Sequence, residues 1–183
     1  MDSPSQNDLY FYDVDKIENV QLIKATIDNK SIVRNLIQFY RYDFSEYNQE
    51  DVQDNGLFPE YPYLDEYWND PNHRYPYLVK SDNKYIGFVL VKFTASEQRN
   101  YFSIGEFFIA RKYRRNGMGR AVATHIFDAH IGEWEVHQIK SNHPAQVFWN
   151  KVIDQYTGGN FNERWEDDKR IQTFKNRGPA ESK

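Results

Sequence analysis

The stretch that decides the fold reads Phe107-Phe108-Ile109-Ala110-Arg111-Lys112-Tyr113-Arg114-Arg115-Asn116-Gly117-Met118-Gly119-Arg120. Residues 101–110 (YFSIGEFFIA) are mostly aromatic and apolar, which predicts a buried central strand. Met118, Val122 and Ile126 recur at helical spacing, which predicts a helix after the turn. The stretch therefore joins a strand to a helix through a basic turn.

The turn has the composition of an anion site. Gly117 and Gly119 lack a Cβ, so a ligand can approach the backbone where the first helical amides have no partner. Five of the ten residues 111–120 are Lys or Arg, and the positive end of the helix favours negative charge at the same place. We expect a pyrophosphate to bind here.

The segment Arg114-Arg115-Asn116-Gly117-Met118-Gly119 resembles the Arg/Gln-x-x-Gly-x-Gly/Ala signature of the GNAT superfamily of acyl-CoA-dependent N-acetyltransferases. The resemblance continues through a strand at 133–140 to Asn142-His-Pro-Ala145-Gln-Val-Phe148-Trp149, which is similar to the family's Asn-x-x-Ala-x-x-Phe-Tyr segment. Residues 85–160 match the family's elements in order. A short glycine motif alone is weak evidence, but agreement over this whole series of elements makes a chance match improbable. The chain is identified as a member of this family.

The resemblance implies an α/β fold, with a mixed, mostly antiparallel sheet of six or seven strands, splayed where the cofactor enters and flanked by helices on both faces. It implies an enzyme that moves an acetyl group from acetyl-CoA to a primary amine, without a metal. The residues that it assigns to acetyl-CoA binding are Phe107, Phe108, Ile109, Arg114, Arg115, Asn116, Gly117, Met118, Gly119, Arg120, Asn142, Ala145, Phe148 and Trp149. Backbone amides around Phe108 and Ile109 would polarise the thioester carbonyl.

Glu106 is the candidate catalytic base. It lies in an otherwise apolar strand, where loss of hydration raises the pKa of a carboxyl group, and a raised pKa suits a base. The alternative is that Glu106 is a cross-strand partner of a Lys or Arg. The family's general acid is a tyrosine at the position of Trp149, so the identity of the general acid stays open.

Length and composition favour one domain spanning 1–183, with residues 1–18 as a leading extension and 176–183 as a frayed tail. The start MDSPSQNDLY lacks the basic and apolar segments of a signal peptide, and no apolar run reaches the roughly 20 residues of a membrane span. We expect a cytoplasmic protein that does not bind membranes. The absence of cysteine excludes disulfides and a thiol nucleophile, and the net charge of −4 argues against nucleic acid as a partner. The sequence is compatible with a monomer or a homodimer.

Patterning predicts the remaining elements around this centre. Strands are expected at 20–26, 75–80, 84–93 and 133–140, with a last hairpin at 161–165 and 170–174. A helix capped by Asp28 or Asn29 is expected to pack on the sheet through Ile32, Val33, Leu36, Ile37 and Tyr40. A second helix is expected to begin after Asn142 and to end at Gly158, and Gly132 is expected to cap the motif helix.

Four alternatives to an acetyltransferase differ in how well the sequence supports them. A dinucleotide-binding unit is disfavoured because Val122 occupies the third glycine position, and a phosphate-binding P-loop motif does not occur. The histidines lack the spacing of a zinc protease and are expected to be surface or hydrogen-bonded residues. A non-catalytic acyl-CoA-binding module stays open, with Trp149 as its best support.

The segment 43–70 predicts the acceptor. It holds nine acidic and seven aromatic residues and no Lys or Arg. In the family that the chain resembles, the segment between the first helix and the following hairpin overhangs the acceptor side of the cleft. Carboxylates and aromatic faces attract cations, which predicts a small cationic amine. The alternative is a solvated acidic loop whose aromatic residues pack it down.

Overall fold

The structure, a computed structural model, describes residues 20–176. The expected extension at 1–18 and the tail beyond residue 176 lie outside the described residues. Asn176, expected to begin the frayed tail, is instead buried. Its Oδ1 accepts a hydrogen bond from the Gly132 amide at 2.7 Å, and its Nδ2 donates to the His130 carbonyl at 3.2 Å. The last strand is therefore anchored one residue beyond the expected end.

The described residues form seven strands and four helices. The strands are β1 (Val20–Lys24), β2 (Arg74–Ser81), β3 (Lys84–Ala95), β4 (Asn100–Ile109), β5 (Glu133–Ile139), β6 (Asn162–Glu166) and β7 (Lys169–Lys175). The helices are α1 (Lys30–Asn48), α2 (Glu66–Asn69), α3 (Met118–Ala129) and α4 (His143–Thr157). The motif strand and the motif helix are β4 and α3, as the sequence predicted.

The strands make one sheet in the order β1-β2-β3-β4-β5-β7-β6. Every neighbouring pair is antiparallel except β4 and β5, which are parallel. These two strands pair at two positions, Phe102 with Trp134 and Ser103 with Glu135, before they diverge. The expected mixed, mostly antiparallel and splayed sheet is confirmed.

Helices cover both faces of the sheet. On one face α3 and α4 pack on Val89, Val91 and Val136, and on the other α1 and α2 pack on Phe88 and Leu90. Successive residues of β3 thus face opposite cores, as the alternation of a pleated strand requires. The apolar stripe predicted for α1 is the face that packs on the sheet.

A β-bulge at Gly105 changes which face the end of β4 presents. Ile104 pairs with Val91 and Glu106 pairs with Leu90, so Gly105 is an extra residue. Phe102 and Ile104 pack toward α3 and α4, whereas Phe108 packs toward α1 and α2. Because the bulge shifts the alternation by one residue, Glu106 faces α1 and α2 together with Phe108. A Cβ on Gly105 would lie 2.6 Å from Tyr67 Oη, so this close approach requires glycine.

Local signals account for both ends of α4, while the capping predictions for α1 and α3 differ from the structure. Asn142 Oδ1 accepts a hydrogen bond from the Ala145 amide at 3.0 Å, and α4 ends at Gly158 with a φ of 62°. Asn29 precedes α1 but its side chain makes no capping hydrogen bond. His130, not Gly132, is the C-cap of α3. Gly132 lies at the following turn, where its amide is bound by the Asn176 side chain.

Candidate active site

The divergence of β4 and β5 opens a cleft of about 1010 Å³. One wall is the end of β4 with the basic turn, the second is the first half of α4, and the third is the C-terminal half of α1. Of the residues assigned to acetyl-CoA by resemblance, those that line the cleft are Phe107, Phe108, Ile109, Arg114, Arg115, Gly117, Gly119, Arg120, Asn142, Ala145, Phe148 and Trp149. Glu106, Asn116 and Met118 do not line it.

The basic turn presents free backbone amides to this cleft. Arg115 and Gly117 have φ values of 70° and 87°, in the left-handed region, which turns the chain sharply into α3. The first amides of α3 have no acceptor within the helix, and Asn116 Oδ1 accepts from the Met118 amide at 3.3 Å. The Met118 side chain points into the core. The turn therefore offers backbone amides and basic side chains to the cleft, while Asn116 and Met118 shape and anchor it.

Gly119 is needed mainly for packing. A Cβ at this position would lie 3.1 Å from Phe148 Cε2 on α4, which is tighter than ordinary van der Waals contact. Phe148 in turn packs on Phe107 with ring centroids 5.7 Å apart. The glycine thus allows α3 to approach the aromatic wall of the cleft, and a side chain here would act first on Phe148.

Asp43 of α1 binds two arginines of the turn. Its Oδ1 accepts a hydrogen bond from Arg111 Nε at 2.9 Å and lies 2.8 Å from Arg111 Nη2, and its Oδ2 accepts from Arg114 Nη2. Arg114 Nε also donates to the Ile109 carbonyl at 2.6 Å. The guanidinium that resemblance assigned to the pyrophosphate is therefore held by a carboxylate of the chain itself. No local sequence pattern indicates this pairing, because Asp43 lies 71 residues before Arg114.

The two backbone amides predicted to polarise a carbonyl point to opposite edges of β4. The Ala110 amide donates to the Ile86 carbonyl of β3 at 2.7 Å. Successive amides of a strand alternate between its edges, so the Phe108 amide also faces β3 and the Ile109 amide faces the cleft. Ile109 is the residue that can donate to a carbonyl oxygen bound there.

Trp149 forms part of the aromatic wall and is 5% exposed. Its ring lies 5.2 Å from Phe107 and 5.0 Å from Phe148 between centroids, and it carries no group that could protonate a thiolate. Tyr156 does not line the cleft, and its hydroxyl donates to Asp128 Oδ1 at 2.7 Å. Tyr156 is partly buried and packs against the core.

Glu106 lies beneath the cleft, surrounded by tyrosines. Burial raises the pKa of the Glu106 carboxyl, while hydrogen bonds from the hydroxyls of Tyr40 and Tyr61 and the positive charge of Lys92 lower it. Within residues 20–176, Lys92 makes no direct ion pair with Glu106, although its pKa is lowered by burial in the same region. Glu106 is therefore not half of a simple cross-strand ion pair. It is a carboxylate that accepts hydrogen bonds from two tyrosine hydroxyls.

The acidic segment 43–70 is largely neutralised within the chain. Four of its nine acids form ion pairs with Lys or Arg, namely Asp43 as above, Glu50 with Arg41, Asp65 with Lys30 and Glu66 with Arg74, and Asp70 hydrogen-bonds to His73 at 2.9 Å. Its aromatic residues also pack it down, since Phe58 and Tyr67 are buried and Trp68 Nε1 donates to the Ala25 carbonyl at 3.1 Å. The acids without such a partner among the described residues are Glu46, Asp51, Asp54 and Glu60. Glu46 alone of these lines the cleft.

The histidines serve structure in the part of the chain that is described. His130 is buried beside Tyr77, whose hydroxyl lies 2.8 Å from His130 Nε2, and burial lowers the His130 pKa to about 4. His137 contacts Glu135 at 2.8 Å. Between residues 20 and 176, His, Asp and Glu side chains form no group of three suited to a metal ion. None of the helices in that range is long and apolar enough to span a membrane.

Comparison with solved structures identifies several similar folds. The ribosomal-protein-S5-alanine acetyltransferase of Vibrio fischeri aligns with a TM-score of 0.62 at 15% identity, over 88% of this chain and 96% of that one. A variant of the SpeG spermidine N-acetyltransferase of Vibrio cholerae aligns with a TM-score of 0.57 at 12% identity, over 86% and 92%. The PaiA N-acetyltransferase of Thermoplasma acidophilum, solved in complex with coenzyme A, aligns with a TM-score of 0.58 at 11% identity, over 86% and 99%. At these identities the likeness shows the fold.

No curated protein sequence matches the chain. A family model described as acetyltransferase (GNAT) family matches residues 35–153, which extend from α1 through the basic turn into α4. This range includes the splayed strands, the glycine turn and Glu106. The chain therefore belongs to the GNAT acetyltransferase family.

Proposed function

We propose that the protein transfers an acetyl group from acetyl-CoA to a primary amine. The observation that carries the proposal is the cleft between β4 and β5, which has an amide-lined basic turn at one end and a buried carboxylate, Glu106, beneath its floor. The turn suits a pyrophosphate and the carboxylate suits an amine proton. These are the two groups that such a reaction needs to bind and to move.

The chain's own residues fit acetyl-CoA as the donor substrate. Arg115, Arg120 and the first amides of α3 would hold its pyrophosphate, and the diverging edges of β4 and β5 would receive its extended arm. The Ile109 amide would donate to the thioester carbonyl oxygen, where negative charge develops during attack. When bound, acetyl-CoA supplies the activated acetyl group.

Glu106 would accept the proton that the amine loses. Its raised pKa keeps it basic enough for this role, and the hydroxyls around it keep a fraction ionised. Trp149 would enclose the reacting atoms without supplying a proton. A thiol has a pKa of about 8.5, so the sulfur can leave as a thiolate without a general acid.

A small basic amine is the acceptor that we propose. Fewer acids are available to attract this amine than the sequence indicated, because five of the nine acids of segment 43–70 already contact a basic side chain of the protein. Glu46 lines the cleft without a cationic partner among the described residues, and the exposed Asp51, Asp54 and Glu60 add negative charge to the same segment, which attracts a cation. The Vibrio cholerae neighbour is named for spermidine, which is consistent with this class.

A second candidate is a non-catalytic acyl-CoA-binding module. Trp149 favours it, since this residue replaces the family's usual acid, and so does the position of Glu106 outside the cleft lining. Such a module would bind CoA through the same turn but release no thiol.

Free thiol release separates the two candidates. The protein is incubated with acetyl-CoA and a panel of amines, and the thiol is followed with a chromogenic reagent. The chain contains no cysteine, so every thiol signal comes from CoA. We expect amine-dependent release that Glu106→Gln reduces about a hundredfold. CoA binding without release for any amine would establish the binding module instead.

The charge of the acceptor has its own test. Glu46→Gln removes an unpaired acid from the cleft, whereas Asp65→Asn changes the net charge equally but removes an acid already paired with Lys30. We expect Glu46→Gln to raise the acceptor KM and the difference to shrink as salt is added. An acceptor KM that responds equally to both variants would contradict selection by this wall.

A further inference from the structure

Glu106 and the cleft are connected by one side chain. The Glu106 carboxylate does not line the cleft, yet it would have to receive a proton from an amine bound there. Tyr40 of α1 lines the cleft and its hydroxyl donates a hydrogen bond to Glu106. Tyr61 makes an equivalent hydrogen bond to Glu106 but does not line the cleft. The two phenols thus differ in access to a substrate.

The Tyr40 ring is held in place by aromatic packing. It lies edge-on to Phe88 and Phe108, with centroids at 6.0 Å and 6.4 Å, and stacks on Phe44 at 5.5 Å. Phe108 belongs to the end of β4, next to the Ile109 amide that faces the cleft. These contacts hold the ring of a residue that both lines the cleft and hydrogen-bonds to Glu106.

We propose that Tyr40 is a catalytic residue that relays the amine proton to Glu106. This inference rests on the proposed function. As the nitrogen–carbon bond forms and the carbon–sulfur bond breaks, the nitrogen gives a proton to Tyr40 Oη and Tyr40 gives its own proton to Glu106. The sulfur leaves with the electron pair of the broken bond. Tyr40 is unchanged after each cycle, and Glu106 returns its proton to solvent.

The protonated hydroxyl of Tyr40 suits the role of a proton relay and not that of a base that acts by itself. Burial and the neighbouring Glu106 carboxylate raise the pKa of Tyr40 far above its usual range. The phenol therefore stays protonated at neutral pH and can accept a proton only by passing its own to Glu106. This coupling explains how a carboxylate outside the cleft can serve a reaction inside it.

Tyr40→Phe and Tyr61→Phe form a matched pair for the test. Each removes one hydroxyl that donates to Glu106, and donors favour the ionised carboxylate, so each variant should raise the Glu106 pKa. The acidic limb of kcat should move to higher pH in both variants. The other groups that face Glu106 are Arg41, Tyr67 and Lys92; neither variant replaces them, although Tyr61→Phe also removes the hydrogen bond between Tyr61 and Tyr67.

The plateau of kcat above the acidic limb distinguishes a relay from pKa tuning. We expect Tyr61→Phe to recover the wild-type plateau and Tyr40→Phe to stay about a hundredfold below it, with the acetyl-CoA KM within about twofold of wild type. Recovery of both plateaus would overturn the relay. In the double variant Tyr40→Phe with Glu106→Gln, the loss should match the larger single loss, and multiplied losses would also overturn it.

Folding and function are controlled separately. Thermal unfolding and CoA binding verify that Tyr40→Phe is folded. If it is not, 3-fluorotyrosine at position 40 keeps the ring and makes its hydroxyl more acidic, and an unchanged plateau in that protein overturns the relay. Wild-type protein that releases no thiol with any amine refutes the proposed function itself. Wild-type turnover with a full plateau in Tyr40→Phe refutes only the relay.

Discussion

Asp43→Asn tests whether a carboxylate of the chain competes with CoA for the arginines of the basic turn. Asp43 lines the cleft and binds Arg111 and Arg114 in the structure. A pyrophosphate bound at the turn would need the same guanidinium groups and would be repelled by the carboxylate. Both effects have the same sign, so the substitution should strengthen CoA binding.

The size of the expected change in CoA affinity depends on how exposed the Asp43 ion pairs are. The Asp43 side chain is 17% exposed, but those of Arg111 and Arg114 are 67% and 39% exposed, so water and salt screen the pairs. Exposed ion pairs contribute about 0.2–1 kcal/mol, and the upper end corresponds to about a fivefold change in affinity. We therefore expect the dissociation constant of CoA to fall about two- to fivefold.

Calorimetric titration with CoA at low and high salt provides the measurement. Glu46→Gln is the matched control, because Glu46 lines the same cleft wall but makes no ion pair with an arginine among the described residues. The control reports the loss of repulsion alone, and the excess effect of Asp43→Asn reports the release of the arginines. That excess should shrink at high salt.

Weaker CoA binding by Asp43→Asn would refute this reasoning. It would mean that Asp43 orients Arg111 and Arg114 for the pyrophosphate and does not compete with it. Equal strengthening by Asp43→Asn and Glu46→Gln would show that repulsion alone matters and that the arginines do not contact the ligand.

Two further predictions concern packing and ionisation. Gly119→Val should lower Tm and weaken CoA binding, because overpacking against Phe148 costs roughly 1–3 kcal/mol. An added Phe148→Leu should restore part of the lost Tm. An unchanged Tm and CoA affinity in Gly119→Val would contradict this packing. Glu106 has a raised pKa, so the stability it contributes is present below its ordinary value of 4.5 and is lost as pH rises toward its folded pKa. Glu106→Gln should therefore raise Tm at pH 8 but not at pH 4, and equal Tm values at pH 8 would be evidence against burial of the charge.

Much of the fold could be read from local sequence because local chemistry fixes it. Residues 81–83 (SDN) predict a hairpin turn, and Asp82 and Asn83 have the positive φ values of such a turn. Asn142 predicts the start of α4 and its side chain caps the helix there. The strand, basic turn and helix from 101 to 129 follow from apolar periodicity and two glycines.

The chemistry of the site depends on contacts that no local pattern contains. Tyr40 was predicted only as part of the apolar stripe of α1, and it lines the cleft. A polar atom on an apolar stripe is the one signal that could have marked it. The acids of segment 43–70 suggested a strongly negative surface, but some of their ion pairs join residues distant in sequence, such as Asp65 with Lys30 and Asp43 with Arg114.

The sequence by itself determined the family, the order of the elements and the presence of a basic, glycine-containing turn, since each depends on residues within a few positions of one another. Tertiary structure alone decided which way Glu106 faces. Strict alternation from Phe102 and Ile104 would have placed it toward α3 and α4, but the extra residue Gly105 shifts the pleat by one position. Glu106 therefore faces α1 and α2, where Tyr40 and Tyr61 hydrogen-bond to it. Whether a strand accommodates a bulge depends on the partner strand and on the space above it, which are set by packing.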